Sequence, residues 1–513
     1  MKKQKYYIFS LLLLSGIVLL FIFFKSGLYS KINKSLYQSH AGNTKKAYQS
    51  DKFINKALGY EISYPKGMQV DTSLAEIRTL IKNGDTQIEI YYDDLKDTSG
   101  KAESYINYSN NFIKNKKEHK LLVDENVKIN GIKTHFLKWE RRKLKHVSND
   151  KNYYLSAEIL KSKNEVYTVF IKSSKPIENG MQIIKSFNVF EKSGKLAPMK
   201  QFKKIKPSVN KETMDVYEKY FLDSKKLTWG IFENSAPKSM KILKDIEAAV
   251  DYDFRFLIKY HCFDSIFSLD EMKNAFDNNK IVELTLQTMS FKKDNSSITY
   301  DILDGKYDEY LNKYAQEIKA FGHPVMFRLN NEMNADWDVF SSYYSSKDTD
   351  LFKAMWIYIH NVFEKNNVDN VLWVWNPNHV SFPNYKWNDA VMYYPGSSYV
   401  DLVGLTAYNT GTYYSSEKWR EFDNLYDSYY NKYSELYEQP LIIGEFACSS
   451  IGGNKIKWVN NMFDKIGNYP RIKVAIWWNG IDYDINKKPA RIYRIDDPKE
   501  LLDVFKERLK LFK

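Results

Sequence analysis

Cysteine is almost missing from this chain. Its 513 residues include two, Cys262 and Cys448. That excludes a disulfide scaffold and a cysteine-based metal cluster, and leaves buried free thiols as the expectation. Acidic residues are missing from the first 50 positions, which carry eight lysines. No glycine-rich phosphate turn follows an early strand, since Thr228–Ser235 reads TWGIFENS. This argues against an open, doubly wound dinucleotide-binding sheet. The net charge of +13 is uneven: residues 1–200 carry +16 and the remainder −3. A basic balance confined to the N-terminal part does not point to nucleic acid. It fits contact with anionic lipid or cell-wall polymer, or a solvated surface without a specific partner.

Core material is ample. Apolar residues make up 43% and aromatics 16%, enough for two or three domains at this length. Forty tyrosines and 11 tryptophans exceed what packing requires. Sugar C–H faces stack on such rings, although a general tyrosine bias gives the same count. Tyr7 to Phe24 is free of charge, with Lys2, Lys3 and Lys5 before it and Lys25 after. The run is near the lower limit for a helix across a bilayer, and the flanking charge places the N-terminus inside and the body outside. A signal peptide is the alternative. Ile22-Phe23-Phe24-Lys25 offers no small-residue cleavage site, while Ser26-Gly27 leaves the alternative open. The expectation is a single-pass membrane anchor over 1–25 (or signal peptide), a polar linker over 26–50, and an extracellular body.

Residues 51–191 read as a small α+β domain. ALGYEISYP and TQIEIYYD alternate as strands do, and Lys101–Lys117 has helical spacing. Asn130-Gly131 within VKINGIKTHFLKWE is a hairpin signal. NYYLSAEIL and EVYTVFIKSS continue as strands, and MQIIKSFNVF as a closing helix and strand. The order implies a mainly antiparallel sheet and resembles the PsbP-like accessory domains of secreted bacterial proteins.

A second linker is expected over 192–206, and a larger domain over 207–513. That domain contains eight short apolar runs: LTWGIF, FRFLIKY, IVELTLQ, PVMFRLN, NVLWVWNPN, DLVGLTAYN, PLIIGEF and VAIWWNG. Helical stretches such as YDEYLNKYAQEIKAF and LFKAMWIYIHNVFEKN lie between most of them. Eight strand–helix repeats predict a (β/α)8 TIM barrel, so the fold class is α/β.

Glu332 is expected to end the fourth strand and Glu445 the seventh. A carboxylate at the C-terminal end of a buried parallel strand is costly to place without a purpose. Two of them about 5 Å apart across a barrel mouth are what double displacement at a sugar requires. Like charges that close hold one carboxyl protonated near neutral pH. Each glutamate taken alone reads equally as a structural ion pair. By strand alternation, Arg328 and Asn330 share the lumen side with Glu332.

Several ordered blocks resemble glycoside hydrolase family 26, the family of many endo-β-1,4-mannanases, from about Leu227 to the end. They are DILDGKYDEYL, RLNNEMNADW, NVLWVWNPN, YYPGSSYVDLVGLTAYN and IIGEFACSSIGGNK. The resemblance implies Glu332 as acid/base, Glu445 as nucleophile, Tyr408 bonded to the nucleophile and Trp337 over the site. It calls for no metal and no cofactor. The chain departs from the family at Asn331, where His is usual, at Ala335 for Gly, and at Thr406-Ala407 for Asp-Gly. Asn331 is expected to hydrogen-bond the sugar 2-hydroxyl, and its identity bears on mannan specificity because mannose carries that hydroxyl axially. Trp477 and Trp478 end the eighth run, and Trp477 is the expected sugar platform. Arg328 is expected to tune Glu445. Trp373, Trp375, His261 and His323 read as structural.

The expected activity is a retaining hydrolase of β-linked polysaccharide, with β-1,4-mannan or glucomannan first and β-glucan or a bacterial exopolysaccharide second. The alternatives from other classes are a non-catalytic glycan-binding surface protein and an adhesin using residues 51–191.

Overall fold

The computed structural model describes residues 49–96, 101–293 and 296–513. The expected membrane anchor and nearly all of the first linker lie outside the described residues. Among those described, no helix is long and apolar enough to cross a membrane. The chain divides into two units, Met1–Asp51 and Lys52–Lys513. The second contains both the sheet and the barrel.

The sheet has seven antiparallel strands, ordered Gln69–Asp71, Arg78–Lys82, Thr86–Asp94, Glu165–Ser173, Tyr153–Leu160, Ile132–Glu140 and Lys120–Ile129. The hairpin turns at Asn130 (φ 50°) and Gly131 (φ 82°), the left-handed pair that a two-residue turn demands. Lys101–Lys117 differs from the single helix its spacing suggests. It forms a helix over Ala102–Ser109 and a separate 3-10 turn over Asn111–Lys114. Asn110 leaves helical geometry, and its side-chain amide donates to the Ile106 carbonyl at 2.9 Å. That local bond competes with helix continuation.

All eight apolar runs are strands of one closed parallel barrel. They are β1 (Thr228–Phe232), β2 (Phe256–Cys262), β3 (Ile281–Gln287), β4 (Val325–Leu329), β5 (Val371–Trp375), β6 (Leu402–Asn409), β7 (Leu441–Cys448) and β8 (Ile472–Trp478). Phe256, Ile258, Met326, Ile442, Val474 and Ile476 fill the lower lumen in one apolar cluster. Tyr217 and Phe221 join that cluster from the helical segment below. Alternation then carries the next inward positions into the upper lumen, where Glu283, Arg328 and Asn376 stand. Gly404 and Gly444 make room there. A Cβ on either would lie 2.0 or 2.2 Å from Asn376 Oδ1, so a side chain at either position would displace Asn376.

The sheet domain packs on the segment that leads from β4 to its helix, Thr349–Lys365, and on the loop after β5. Tyr105 tilts against Tyr385 at 4.3 Å between centroids, and Trp139 Nε1 donates to Ser346 Oγ at 3.4 Å. Buried charge crosses the same seam. Lys172 Nζ meets Asp348 Oδ1 and Asp350 Oδ2, each at 2.6 Å, and Glu89 Oε1 at 3.1 Å. Lys347 Nζ reaches back into the sheet to Glu158 at 2.8 Å. Asp348 also caps the helix by accepting from the Asp350 amide. Phe202 pins the 192–206 segment to the barrel: its amide donates to the Leu436 carbonyl at 2.7 Å, and its ring stacks on Tyr437.

Lys172→Met should therefore cost about 3–5 kcal/mol, because it removes the cation that three carboxylates share, leaving Arg78 beside Glu89 and Lys353 beside Asp350. The midpoint of urea unfolding should fall clearly below that of the parent. An unchanged midpoint would show that the seam carries no net stability.

Candidate active site

The site grows out of β3, β4 and β7. Arg328 is fully buried on β4 and is its centre. Its Nε lies 2.9 Å from Glu283 Oε1 and donates to Thr285 Oγ1 at 2.7 Å, while Nη2 lies 2.6 Å from Glu445 Oε1. Tyr408 Oη donates to the other oxygen, Glu445 Oε2, at 2.8 Å. Glu445 is thus held at both oxygens, and 4% of it is exposed. Strict alternation on β7 would send Glu445 outward, because its neighbour Gly444 already faces the lumen. The pairing of β7 with β8 shifts register between Ile443 and Phe446, and that irregularity turns both residues inward.

Glu332 stands three residues beyond the end of β4. Asn330 (φ 60°) and Glu332 (φ 49°) both adopt left-handed backbone. Such conformations cost of order 1–3 kcal/mol for residues with a side chain, and they concentrate at functional sites. The β4–β5 ladder holds the bend: the Glu332 amide donates to the Asn376 carbonyl at 2.9 Å. Asn378 Nδ2 donates to Glu332 Oε1. Burial, followed by the negative charge of Glu445, pushes the Glu332 carboxyl up to about 7, against the pull of Asn378 and Arg328. Glu332 and Glu445 are therefore within electrostatic reach, and one of the two is poised to hold a proton near neutrality.

The structure brings Arg328, Glu332, Tyr408 and Glu445 together. Asn331 is nearly buried beside β3, where Gln287 Nε2 donates to its Oδ1 at 3.0 Å. Asn330 turns from the lumen to β3 and accepts from the Thr288 amide at 2.8 Å. Trp337 is exposed and tilts against Phe382 at 4.9 Å.

The choice between the tandem tryptophans needs correction. Trp477 is fully buried on the outer side of β8, between Phe446 and Phe505, with Nε1 donating to the Tyr493 carbonyl at 2.9 Å. Trp478 continues the inward series Val474, Ile476 and is the one at the mouth. It stacks on Phe232 at 5.2 Å and meets Tyr408 edge-on at 6.3 Å. A cavity of about 630 Å³ opens beside it, lined by Phe232, Glu233, Tyr483 and Arg494 among others.

Four residues escape the motif reading. Glu283 is fully buried, and its carboxyl is pushed up to about 7 by burial and by Glu445, against Arg328. Its signal was visible, an acid at the third position of an apolar strand, IVELTLQ. Tyr260 at the end of β2 lies under Arg328, with its ring centroid 5.5 Å from the guanidinium carbon. Asn378 lies in the NPN that follows β5. Asp338, six residues beyond Glu332, has its carboxyl raised well above the usual range by burial and by the charges of Glu332 and Glu445. No local pattern marks those last two. His261 bonds Tyr314 at 2.9 Å, and His323 pairs with Glu212 at 3.0 Å, so both are structural. Cys262 and Cys448 are free and buried.

A closed parallel barrel with two carboxylates at its C-terminal mouth is one arrangement that glycoside hydrolysis can use. Residues 276–472, from the helix before β3 to the first residue of β8, match the model of glycosyl hydrolase family 26. The match lies within the barrel domain. Among curated relatives, the chain is 31% identical over 225 residues to "Endoglucanase H" of Acetivibrio thermocellus, covering 42% of this chain and 24% of the relative. It is 30% identical over 162 residues to a mannan endo-1,4-beta-mannosidase of Bacillus subtilis, covering 30% of this chain and 40% of the relative. The match thus spans well under half of either relative. The catalytic domain of a Bacillus sp. endo-beta-1,4-mannanase is a structural neighbour, with a TM-score of 0.47 and 19% identity over 60% of this chain and 92% of that one.

Proposed function

We propose that the protein is a retaining hydrolase of β-linked polysaccharide. The observation that carries this reading is the coupled pair, one carboxyl raised to about 7 and the other clamped by a buried arginine and a tyrosine. Glu332 gives its proton to the glycosidic oxygen as the bond to the anomeric carbon breaks. Glu445 attacks that carbon from the opposite face and forms a glycosyl ester. Glu332, now ionised, takes a proton from water; the oxygen of that water attacks the same carbon and releases Glu445. Arg328 and Tyr408 hold Glu445 in place and stabilise it as it leaves. Asn331, its carbonyl engaged by Gln287, presents amide N–H groups to the sugar 2-hydroxyl. Trp478 floors the reacting sugar.

The substrate we favour is a β-1,4-mannan or glucomannan, the activity named for the Bacillus relatives. A β-glucan or an exopolysaccharide is the second reading, supported by Asn331 in place of histidine and by the name of the Acetivibrio relative. The charge-free run Tyr7–Phe24 with its lysine flanks supports a membrane-anchored enzyme facing outward, and the basic N-terminal part supports contact with cell-wall polymer. Incubation of the purified protein with mannan, glucomannan, mixed-linkage β-glucan and bacterial exopolysaccharide should release new reducing ends from one of them, with mannan or glucomannan first. Binding without cleavage on every glycan would favour the non-catalytic reading instead.

A further inference from the structure

Two groups of exposed aromatic rings stand on opposite rims of the barrel. β4 and β8 are four steps apart in a closed ring of eight strands, so their mouths face each other. Beyond β8 stands Tyr483, and Tyr413, in the loop after β6, donates to Asp484 at 2.8 Å. Beyond β4 and β5 stand Trp337, 51% exposed, and Phe382, 41% exposed. The third ring of this second group does not come from the barrel. Tyr108 belongs to the helix Ala102–Ser109 of the sheet domain. Its hydroxyl donates to the Asp336 carboxylate, next to Trp337 in the chain, and its ring tilts against Tyr343 at 5.1 Å.

Packing does not require Tyr108 at the surface. The same helix already docks through Tyr105, which is fully buried against Tyr385, and through Ser109, which accepts from Trp387 Nε1 at 3.1 Å. Tyr108 remains 37% exposed on this fixed helix. A rigid, half-open ring whose hydroxyl is already satisfied suits the flat C–H face of a sugar, because little freedom is lost on binding.

We propose that the sheet domain supplies part of the glycan cleft: Tyr108, set beside Trp337 and Phe382, is a stacking subsite for a β-linked polysaccharide chain that runs past the carboxylates. This rests on the hydrolase reading above. The sheet domain then acts as a specificity element for chain length.

The test uses the full chain carrying Glu445→Ala, which binds without turnover. β-1,4-linked manno- and gluco-oligosaccharides of two to six sugars are titrated calorimetrically. Adding Tyr108→Ala should lower the ratio of hexasaccharide to disaccharide affinity about tenfold, while Tyr108→Phe, which keeps the ring and loses the bond to Asp336, should preserve it. An unchanged ratio in Tyr108→Ala, with the hexasaccharide still bound, removes the subsite and leaves the hydrolase reading standing. A ratio lowered equally by Tyr108→Phe reduces Tyr108 to a support for Asp336 and overturns the stacking role. No binding of any oligosaccharide to the Glu445→Ala chain overturns the subsite together with mannan, glucomannan and β-1,4-glucan as substrates.

Discussion

Replacing Glu445 with alanine should lower turnover by about 10⁴-fold or more while leaving the fold intact. The chemical half of this expectation is direct: without the carboxylate no oxygen attacks the anomeric carbon, and the glycosyl ester cannot form. The structural half follows from Arg328. A buried guanidinium that loses its one carboxylate is badly destabilised, but Arg328 keeps Glu283 at 2.9 Å and Thr285 at 2.7 Å. Glu283 loses the charge that helped raise its pKa and becomes the full counterion. The variant should therefore unfold close to the parent in urea. The space vacated beside Arg328 also suits a small anion. Added azide should restore turnover of a glycoside with a good leaving group and give a glycosyl azide of inverted configuration. Near-parental turnover in Glu445→Ala without azide would reject the nucleophile assignment.

The barrel was readable because its strands are buried on both faces. Such strands appear as unbroken apolar runs, and all eight stand where the sequence places them. What the sequence left unresolved is facing. On β8 the answer was within reach: Gly230 pairs with Ile476 at the barrel seam, Ile476 packs in the lumen, and two residues on is Trp478. Placing Trp477 inward requires a one-residue slip of that register, which exchanges the two faces. On β7 no counting would have sufficed. The irregularity that brings Glu445 inward lies where Asn376 and Arg328 crowd Gly444, a tertiary contact that no local pattern shows. At the end of β4, two left-handed residues swing Asn330 away from the lumen and Glu332 into it, a geometry set by contacts with β3 and β5. The seam between sheet and barrel was equally hidden. Lys172, Asp348 and Asp350 read along the chain as ordinary surface charge, and only their convergence reveals a buried cluster.

That convergence bears on the acid as well. The segment from Glu332 to Asp348 is tied at its far end by the Lys172 and Lys347 pairs, and at its near end by the Asn376 carbonyl. Trp337, Asp338 and the Glu332 carboxyl all lie between the two ties. The sheet domain therefore holds one end of the loop that carries the proposed proton donor, and a variant that loosens the seam should move the behaviour of Glu332 before it moves that of Glu445.

Glu332→Gln should slow cleavage of unactivated polysaccharide by about 10²–10⁴-fold, and the pH profile should identify the cause. Protonation of Glu332 is what the first step needs. With its carboxyl near 7, the proton is present below neutrality and lost above it, so kcat/KM should fall on the alkaline side of about pH 7. Glu332→Gln should abolish this alkaline limb, and an aryl glycoside with a good leaving group should form the glycosyl ester at near-parental rate, since its departure needs no proton. Stability supplies an independent reading. The folded state binds the Glu332 proton more tightly than the unfolded chain, whose carboxyl sits near 4.5. The contribution is fully present below about 4.5 and lost as pH rises through about 7. Glu283 is raised in the same direction and loses its contribution over the same window. Each of Glu332→Gln and Glu283→Gln should flatten part of the decline in unfolding midpoint between those values, but removal of the alkaline rate limb should accompany the Glu332 change alone. An alkaline limb that survives in Glu332→Gln would assign the proton to another group, and Asp338, whose carboxyl is raised by the same two charges, would be the next to replace.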